Sequence, residues 1–188
     1  TVEKAIDSNQ QIFLSAFRTL ECQQDFPVSL VTPYDVYDAG TLCSVLRTRK
    51  LPDGRMKILV QGTHRGVISN LEVVDDIPQV SISIVPEKIA VDVSPEIEAM
   101  IRVIKENLER LSSMGKYLNP DILVLIEEIK EPGRLSDMVA ANLGLKIQEA
   151  QEVLYMKDSI ERLGKVYSLL TKEMEVFEAK VRIKNETK

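Results

Sequence analysis

Residues 51–68 read LPDGRMKILVQGTHRGVI, and this stretch decides how the first half of the chain is read. Pro52 pre-sets φ at the first corner of a turn and Gly54 accepts positive φ two positions later, so Pro52-Asp53-Gly54 is a turn with a mechanism. Residues 40–51, before it, are rich in β-branched and aliphatic side chains, and Met56-Lys57-Ile58-Leu59-Val60 continue in the same way after it. Two such arms about one turn predict a β-hairpin. Gly62 interrupts the second arm, where a bulge or a sharp barrel corner is expected.

Working outward toward the start, Tyr37-Asp38-Ala39-Gly40-Thr41 leads into the first arm, with Gly40 expected at a strand kink. Residues 19–35 are polar, contain Pro27 and Pro33, and keep no period, so they read as a loop about as long as a compact domain tolerates. In Gln11 to Phe17, Ile12, Leu14 and Ala16 alternate against Phe13 and Phe17, which predicts a strand. Val2, Ala5 and Ile6 share a helical face, so residues 1–8 read as the tail of a short helix. Working toward the end, residues 67–74 stay extended and Asp75-Asp76-Ile77-Pro78 breaks them. Val80, Ile82 and Ile84 then alternate with Gln79, Ser81 and Ser83, the pattern of a half-buried strand.

From Ser94 the period changes from 2 to 3.6. Ser94 suits an N-cap, Pro95 the first helical position, and Glu96 and Glu98 the positive end of the helix dipole. Ile97, Ile101, Ile104, Leu108 and Leu111 form one stripe, and Gly115 ends the helix. Asn119-Pro120 opens a second helix carrying Ile122, Leu125, Ile126 and Ile129, which Pro132-Gly133 breaks. Leu135, Met138, Val139 and Leu143 form a third, closed by Gly144, and Ile147, Ala150 and Leu154 a fourth. In the last helix Ile160, Leu163, Tyr167, Leu170, Met174, Phe177 and Val181 recur at alternating spacings of three and four, a heptad seam. From Asp158 to Asn185 such a helix is about 40 Å long. Its end is expected to project beyond its shorter neighbours and to pair with another subunit or with further chain.

Composition bounds the function. The chain has 188 residues and a net charge of −5. Residues 1–90 hold 9 Lys/Arg against 11 Asp/Glu and residues 91–188 hold 15 against 18. Neither half has the basic footprint of a nucleic-acid binder. Cys22 and Cys43 have neither disulfide-framework nor zinc spacing and read as reduced thiols. No apolar run approaches the roughly 18 residues of a membrane span, and no signal peptide is expected. The chain starts in mid-element without Met, so it is expected to be a piece of something larger.

Catalytic parts are not apparent. His64 is the one histidine, with Cys43 the nearest thiol in sequence, and nothing supplies a third, orienting group. His64 reads as a surface residue in a loop after Gly62. No phosphate-cradling glycine motif is present, and Gly62-x-x-x-Gly66 is not a dinucleotide fingerprint. Asp75-Asp76 and Glu127-Glu128 read as solvated carboxylates, and Lys146 and Lys157 have no catalytic rationale.

Two groups of residues carry a family resemblance. Leu51-Pro52-Asp53-Gly54, Lys57-Ile58-Leu59-Val60-Gln61-Gly62, Arg65 and Ile68 resemble the hairpin of the N-terminal domain of Lon, a family of ATP-dependent serine proteases. The family more often has Glu where this chain has Gln61, and Gly66 also departs from its pattern. Pro132-Gly133-Arg134-Leu135-Ser136-Asp137-Met138-Val139-Ala140, Leu143-Gly144-Leu145-Lys146, Gln151-Glu152-Val153-Leu154 and Arg162-Leu163 follow the Lon pattern in the same order. The resemblance covers essentially the whole chain. One family strand, of the form L-P-L-x-x-x-V-x-x-P, is not found before the first helix, so an exposed sheet edge is expected.

The reading is therefore an α+β chain. Residues 1–90 form a small PUA-like β-barrel or sheet subdomain with one short helix, residues 91–157 an all-α bundle, and residues 158–188 the long heptad-patterned helix. The resemblance implies a non-catalytic part of a protease, serving recognition of unfolded or damaged proteins and assembly of a homo-hexamer. It places ATP and Mg binding and the Ser–Lys dyad in regions outside these residues, with no cofactor or metal held here. Such a piece is expected in the bacterial cytoplasm rather than the mitochondrial matrix, with neither nucleic acid nor membrane expected as partner. Capture of unfolded clients needs exposed apolar side chains or a sheet edge. Phe26, Tyr34 and Tyr37 in the long loop, and Met174, Phe177 and Val181 on the last helix, are the candidate contacts. Two other readings are a PUA-like nucleic-acid-binding module, which the acidic charge opposes, and a free-standing Lon-domain ligand-binding protein, which the cysteine spacing opposes.

Overall fold

The computed structural model describes residues 11–18, 30–88 and 93–186. The expected helix over residues 1–8, Cys22 and Phe26 lie outside the described residues. The chain divides into two compact units, residues 1–86 and 87–188.

The first unit is a curled antiparallel meander of four strands: β1 (Gln11–Phe17), β2 (Val36–Lys50), β3 (Met56–Val74) and β4 (Ile77–Ile84), in that spatial order. The central hairpin is much longer than the turn-proximal residues suggest, pairing Lys50 with Met56 at one end and Ala39 with Val67 at the other. At its turn Gly54 has φ +83° and its amide donates to Leu51 O at 3.1 Å, while Asp53 accepts from the Arg55 amide at 3.0 Å. Cys43 faces Gly62 and Leu42 faces His64, so Thr63 is the extra residue of a bulge beside Gly62. A second bulge displaces Leu46, Ser69 is the extra residue of another against β4, and between the Ser15–Gly40 and Phe17–Val36 pairs the extra residues belong to β2. Such insertions bend a strand and tighten its twist, which curls the sheet.

Gly40 adjoins the ladder irregularity of β2, and it also serves a close approach. It stands opposite Gly66 in the ladder, and the Phe13 ring lies over the pair. A Cβ on Gly40 would come within 2.6 Å of that ring, and one on Gly66 within 2.9 Å. Asp75-Asp76 does more than break the chain. With φ of 50° and 60°, and with Val74 paired to Ile77, it is the two-residue turn of a tight hairpin. Aspartate tolerates this left-handed region better than most side chains. Pro78 sits in β4, an outer strand, where its missing N–H is tolerated.

The second unit holds α1 (Pro95–Ser113), α2 (Pro120–Glu128), α3 (Pro132–Leu143), α4 (Ile147–Tyr155) and α5 (Ser159–Glu186). Proline stands in the first turn of α1, α2 and α3. Asn119 caps α2 by accepting from the Asp121 amide at 3.0 Å. Gly144 ends α3 with φ 72°, and the Lys116 ammonium donates to the Leu143 carbonyl at 3.0 Å. The core joins Ile104, Leu108 and Leu111 of α1 to Leu135 and Val139 of α3 and to Leu163, Val166 and Leu170 of α5. Two expected stripes are corrected. Leu125 of α2 is exposed, because the helix stops at Glu128 and buries Ile126 and the following Ile129 instead. In α4 the buried side chain is Val153, while Ala150 is exposed.

Arg162 is fully buried where α5 passes α3 and the start of this unit. Its guanidinium pairs with Glu87 and with Asp137, and donates to Met156 O at 2.8 Å. Gly133 is required there, since a Cβ would lie 2.7 Å from Nη2. Beside it, residues 87–88 are strapped to the start of α5. The Lys88 amide donates to Lys157 O at 3.1 Å, the Ser159 hydroxyl donates to Lys88 O at 3.1 Å, and the Lys88 ammonium meets Asp158 at 2.7 Å.

Candidate functional site

The sheet unit carries exposed aliphatic side chains. Leu14 on β1, Leu46 on β2, Leu59 on β3 and Ile84 on β4 are all exposed, as is Leu30 ahead of the β2 entry. Among the described residues no strand pairs with the outer edge of β1 or of β4. This is the chemistry that accepts an unfolded chain: apolar contact, and backbone groups able to add a strand.

The two aromatic candidates described in this unit are placed differently. Tyr34 is 88% exposed on a turn ahead of β2. Asp35 locks that turn by accepting from the Thr32 hydroxyl at 2.6 Å and the Thr32 amide at 2.8 Å. Those hydrogen bonds hold the Asp35 carboxyl below the ordinary aspartate range. Tyr37 is half-buried inside β2, with the Arg18 guanidinium 4.7 Å from its ring centroid. Arg18 Nε also donates to Val36 O at 2.8 Å, so Tyr37 belongs to a fixed patch.

On α5 the three candidates separate. Met174 is 7% exposed and belongs to the core. Phe177 is half-buried and packs against that core. Val181 is half-buried beyond it. The exposed aliphatics on this part of the helix are Val176 and Ile183, which the heptad seam did not single out. The core-facing stripe is wider than the seam, taking in Val166 and Leu169, so the helix presents a different edge from the one the period suggests.

His64 lies in strand β3 rather than a loop, exposed, while Cys43 is buried and its thiol is pushed up by that burial. A buried thiol and an exposed imidazole make no nucleophile–base pair. Among the described residues no three His, Cys, Asp or Glu side chains converge to hold a metal ion, and no helix is long and apolar enough to cross a membrane. Lys146 is the N-cap of α4, its amide donating to Glu149 at 3.2 Å, and the Lys157 carbonyl receives the strap. Sequence reasoning missed the buried Arg162 with Glu87 and Asp137. Its signal was thin, an arginine on the apolar side of α5 one position before the seam residue Leu163.

These features define a class: an α+β module of curled sheet and helical bundle that presents aliphatic surface. Residues 1–172 match the family described as the ATP-dependent protease La (LON) substrate-binding domain. Lon protease 2 of Bdellovibrio bacteriovorus is 38% identical over 178 residues, covering 95% of this chain and 22% of that protein. The Lon protease of Aquifex aeolicus is 39% identical over 187 residues, covering 97% and 22% respectively. The N-terminal domain of Mycobacterium avium complex Lon protease has the same fold, with a TM-score of 0.57 at 17% identity over 88% of this chain and 89% of that one. The chain belongs to the Lon substrate-binding domain family. It spans about a fifth of the length of these curated relatives.

Proposed function

We propose that this chain is the client-recognition part of a Lon-type ATP-dependent serine protease, catching unfolded or damaged polypeptides for quality control and contributing to a homo-hexamer. The observation that carries the reading is the match of residues 1–172 to a substrate-binding family. The exposed Leu14, Leu46 and Leu59 and the two outer strand edges support it, because unfolded clients offer the apolar segments and unpaired backbone that such a surface accepts. On this reading ATP and Mg are bound, and peptide bonds are cut by a Ser–Lys dyad, in other domains of the parent protein, in the bacterial cytoplasm. The exposed Val176 and Ile183 of α5 are the surface proposed for self-association.

The test is a fluorescence anisotropy titration against a labelled, permanently unfolded polypeptide, with its folded form as control. Selective binding of the unfolded form at micromolar concentration is the expected result. Equal binding of both forms, or of neither by a chain held in hexameric assembly, overturns the reading. The assembled form matters because weak contacts multiply when sites are linked.

A further inference from the structure

We propose that the exposed face of the β2–β3 hairpin binds an extended polypeptide with acidic side chains at alternate positions. It rests on the proposed function only in taking that segment to be part of a client; the surface itself follows from register and charge. In the ladder Arg49 stands opposite Lys57 and Arg47 opposite Leu59, while the Leu51 amide donates to Arg55 O in the next pair toward the turn. Paired residues share a face, and the face alternates along each strand. Arg47, Arg49, Lys57, Arg55 and Leu59 therefore lie on one side of the hairpin, and all five are exposed.

Arg55 is neutralised by Asp53 at 2.6 Å. Arg47, Arg49 and Lys57 have no ion-pair partner among the described residues, in a chain whose net charge is −5. Directly opposed like charges destabilise a strand pair. The Arg49–Lys57 pair thus works against the hairpin unless something anionic covers it. Same-face residues along a strand are about 6.6 Å apart, the same period as alternate side chains of an extended peptide. Carboxylates at every second position meet Arg47 and Arg49 in register, and each guanidinium can hold one by two parallel hydrogen bonds. Leu59, 58% exposed, lies beside the cations on that face and suits an aliphatic side chain of the same segment. A nucleic acid fits less well. The face carries no aromatic ring for base stacking, and the acidic remainder of the chain repels a polyanion.

The experiment titrates the 188-residue chain with a labelled peptide alternating Glu and Leu, the same peptide with Lys for Glu, and a single-stranded oligonucleotide. The account expects the acidic peptide to bind about tenfold tighter than either, and its affinity to fall as salt rises. The variant carrying Arg47→Gln, Arg49→Gln and Lys57→Gln should lose that affinity about tenfold. Arg49→Glu should lose it too, with a melting temperature equal to or above that of the parent chain, since it turns a like-charge pair into an opposite one. Equal affinity for the two peptides, tighter binding of the oligonucleotide, or full binding by the triple variant overturns the proposal. Selection of a neutral unfolded client, tested alongside, keeps the two proposals apart. Its loss with acidic-peptide binding intact sinks the quality-control reading alone, and the converse sinks the hairpin alone.

Discussion

Arg162 is a cation inside the core of the helical unit. It is fully buried, while Glu87 and Asp137 reach it from partly exposed positions. Its Nε lies 3.2 Å from Asp137 Oδ1, as an ion pair without hydrogen-bond geometry. Removing both carboxylate charges with Glu87→Gln and Asp137→Asn leaves a cation in the core without a counter-charge. This should cost about 3–5 kcal/mol in urea unfolding. Lys165→Ala breaks the surface pair with Glu152 and should change stability by under about 1 kcal/mol. Equal effects would mean that Arg162 is held by packing rather than charge. In the sheet unit, Gly40→Ala drives a Cβ against both the Leu14 carbonyl of β1 and the Phe13 ring and should cost about 1–3 kcal/mol. Made in a Phe13→Ala background the change should lose the ring's share of that cost and keep the share due to the Leu14 carbonyl, a coupling that a double-mutant cycle reads directly.

At the scale of elements, the strap of residues 87–88 on the start of α5 has a pH signature. The Lys88 ammonium and the amides of Ile160 and Glu161 hold the Asp158 carboxyl below its ordinary range. The Asp158 carboxylate in turn raises Lys88. The aspartate's contribution is present above its unfolded pKa and is lost as pH falls through the depressed folded value. The lysine's is present below its unfolded pKa and is lost as pH rises through the raised one. Intrinsic-rate-corrected hydrogen exchange at the Lys88 and Ser159 amides should therefore show constant protection through neutral pH, falling only in acid below the ordinary aspartate range. A fall near neutrality would contradict this. The elements differ in how legible they were. The 3.6-residue period, the prolines at helix starts and Gly144 at a helix end predict all five helices within a few residues, because local propensity and burial agree there. The LPDG turn predicts its hairpin for the same reason. The Asp75-Asp76 hairpin escaped because its residues lack the glycine that usually marks such a turn. The strap escaped because Lys88 and Asp158 are brought together by tertiary pairing alone, far apart in sequence. Tyr34 was legible as exposed. Met174 was not legible as core, since a heptad seam names the stripe that packs without saying where its neighbours end.

Over the whole molecule, every member of the large buried cluster lies between Ile104 and Met174. Residues 87–188 thus carry a core of their own, and produced alone they should unfold in one cooperative transition with a helical circular-dichroism spectrum. A broad, non-cooperative melt would contradict that. Charge is distributed unevenly over the chain. The net −5 conceals the hairpin, where Arg47, Arg49, Lys50, Arg55 and Lys57 face the single acid Asp53, a contrast lost when charge is counted by halves. The central claim is that recognition of unfolded polypeptide resides in these residues. The most direct measurement is an amide-resolved NMR titration of the chain with a permanently unfolded polypeptide. The account predicts saturable shifts at the exposed Leu14, Tyr34, Leu46 and Leu59, with the amides of Leu135, Leu163 and Leu170 unmoved. An unchanged spectrum at saturating client, or shifts confined to the buried helical core, would contradict it.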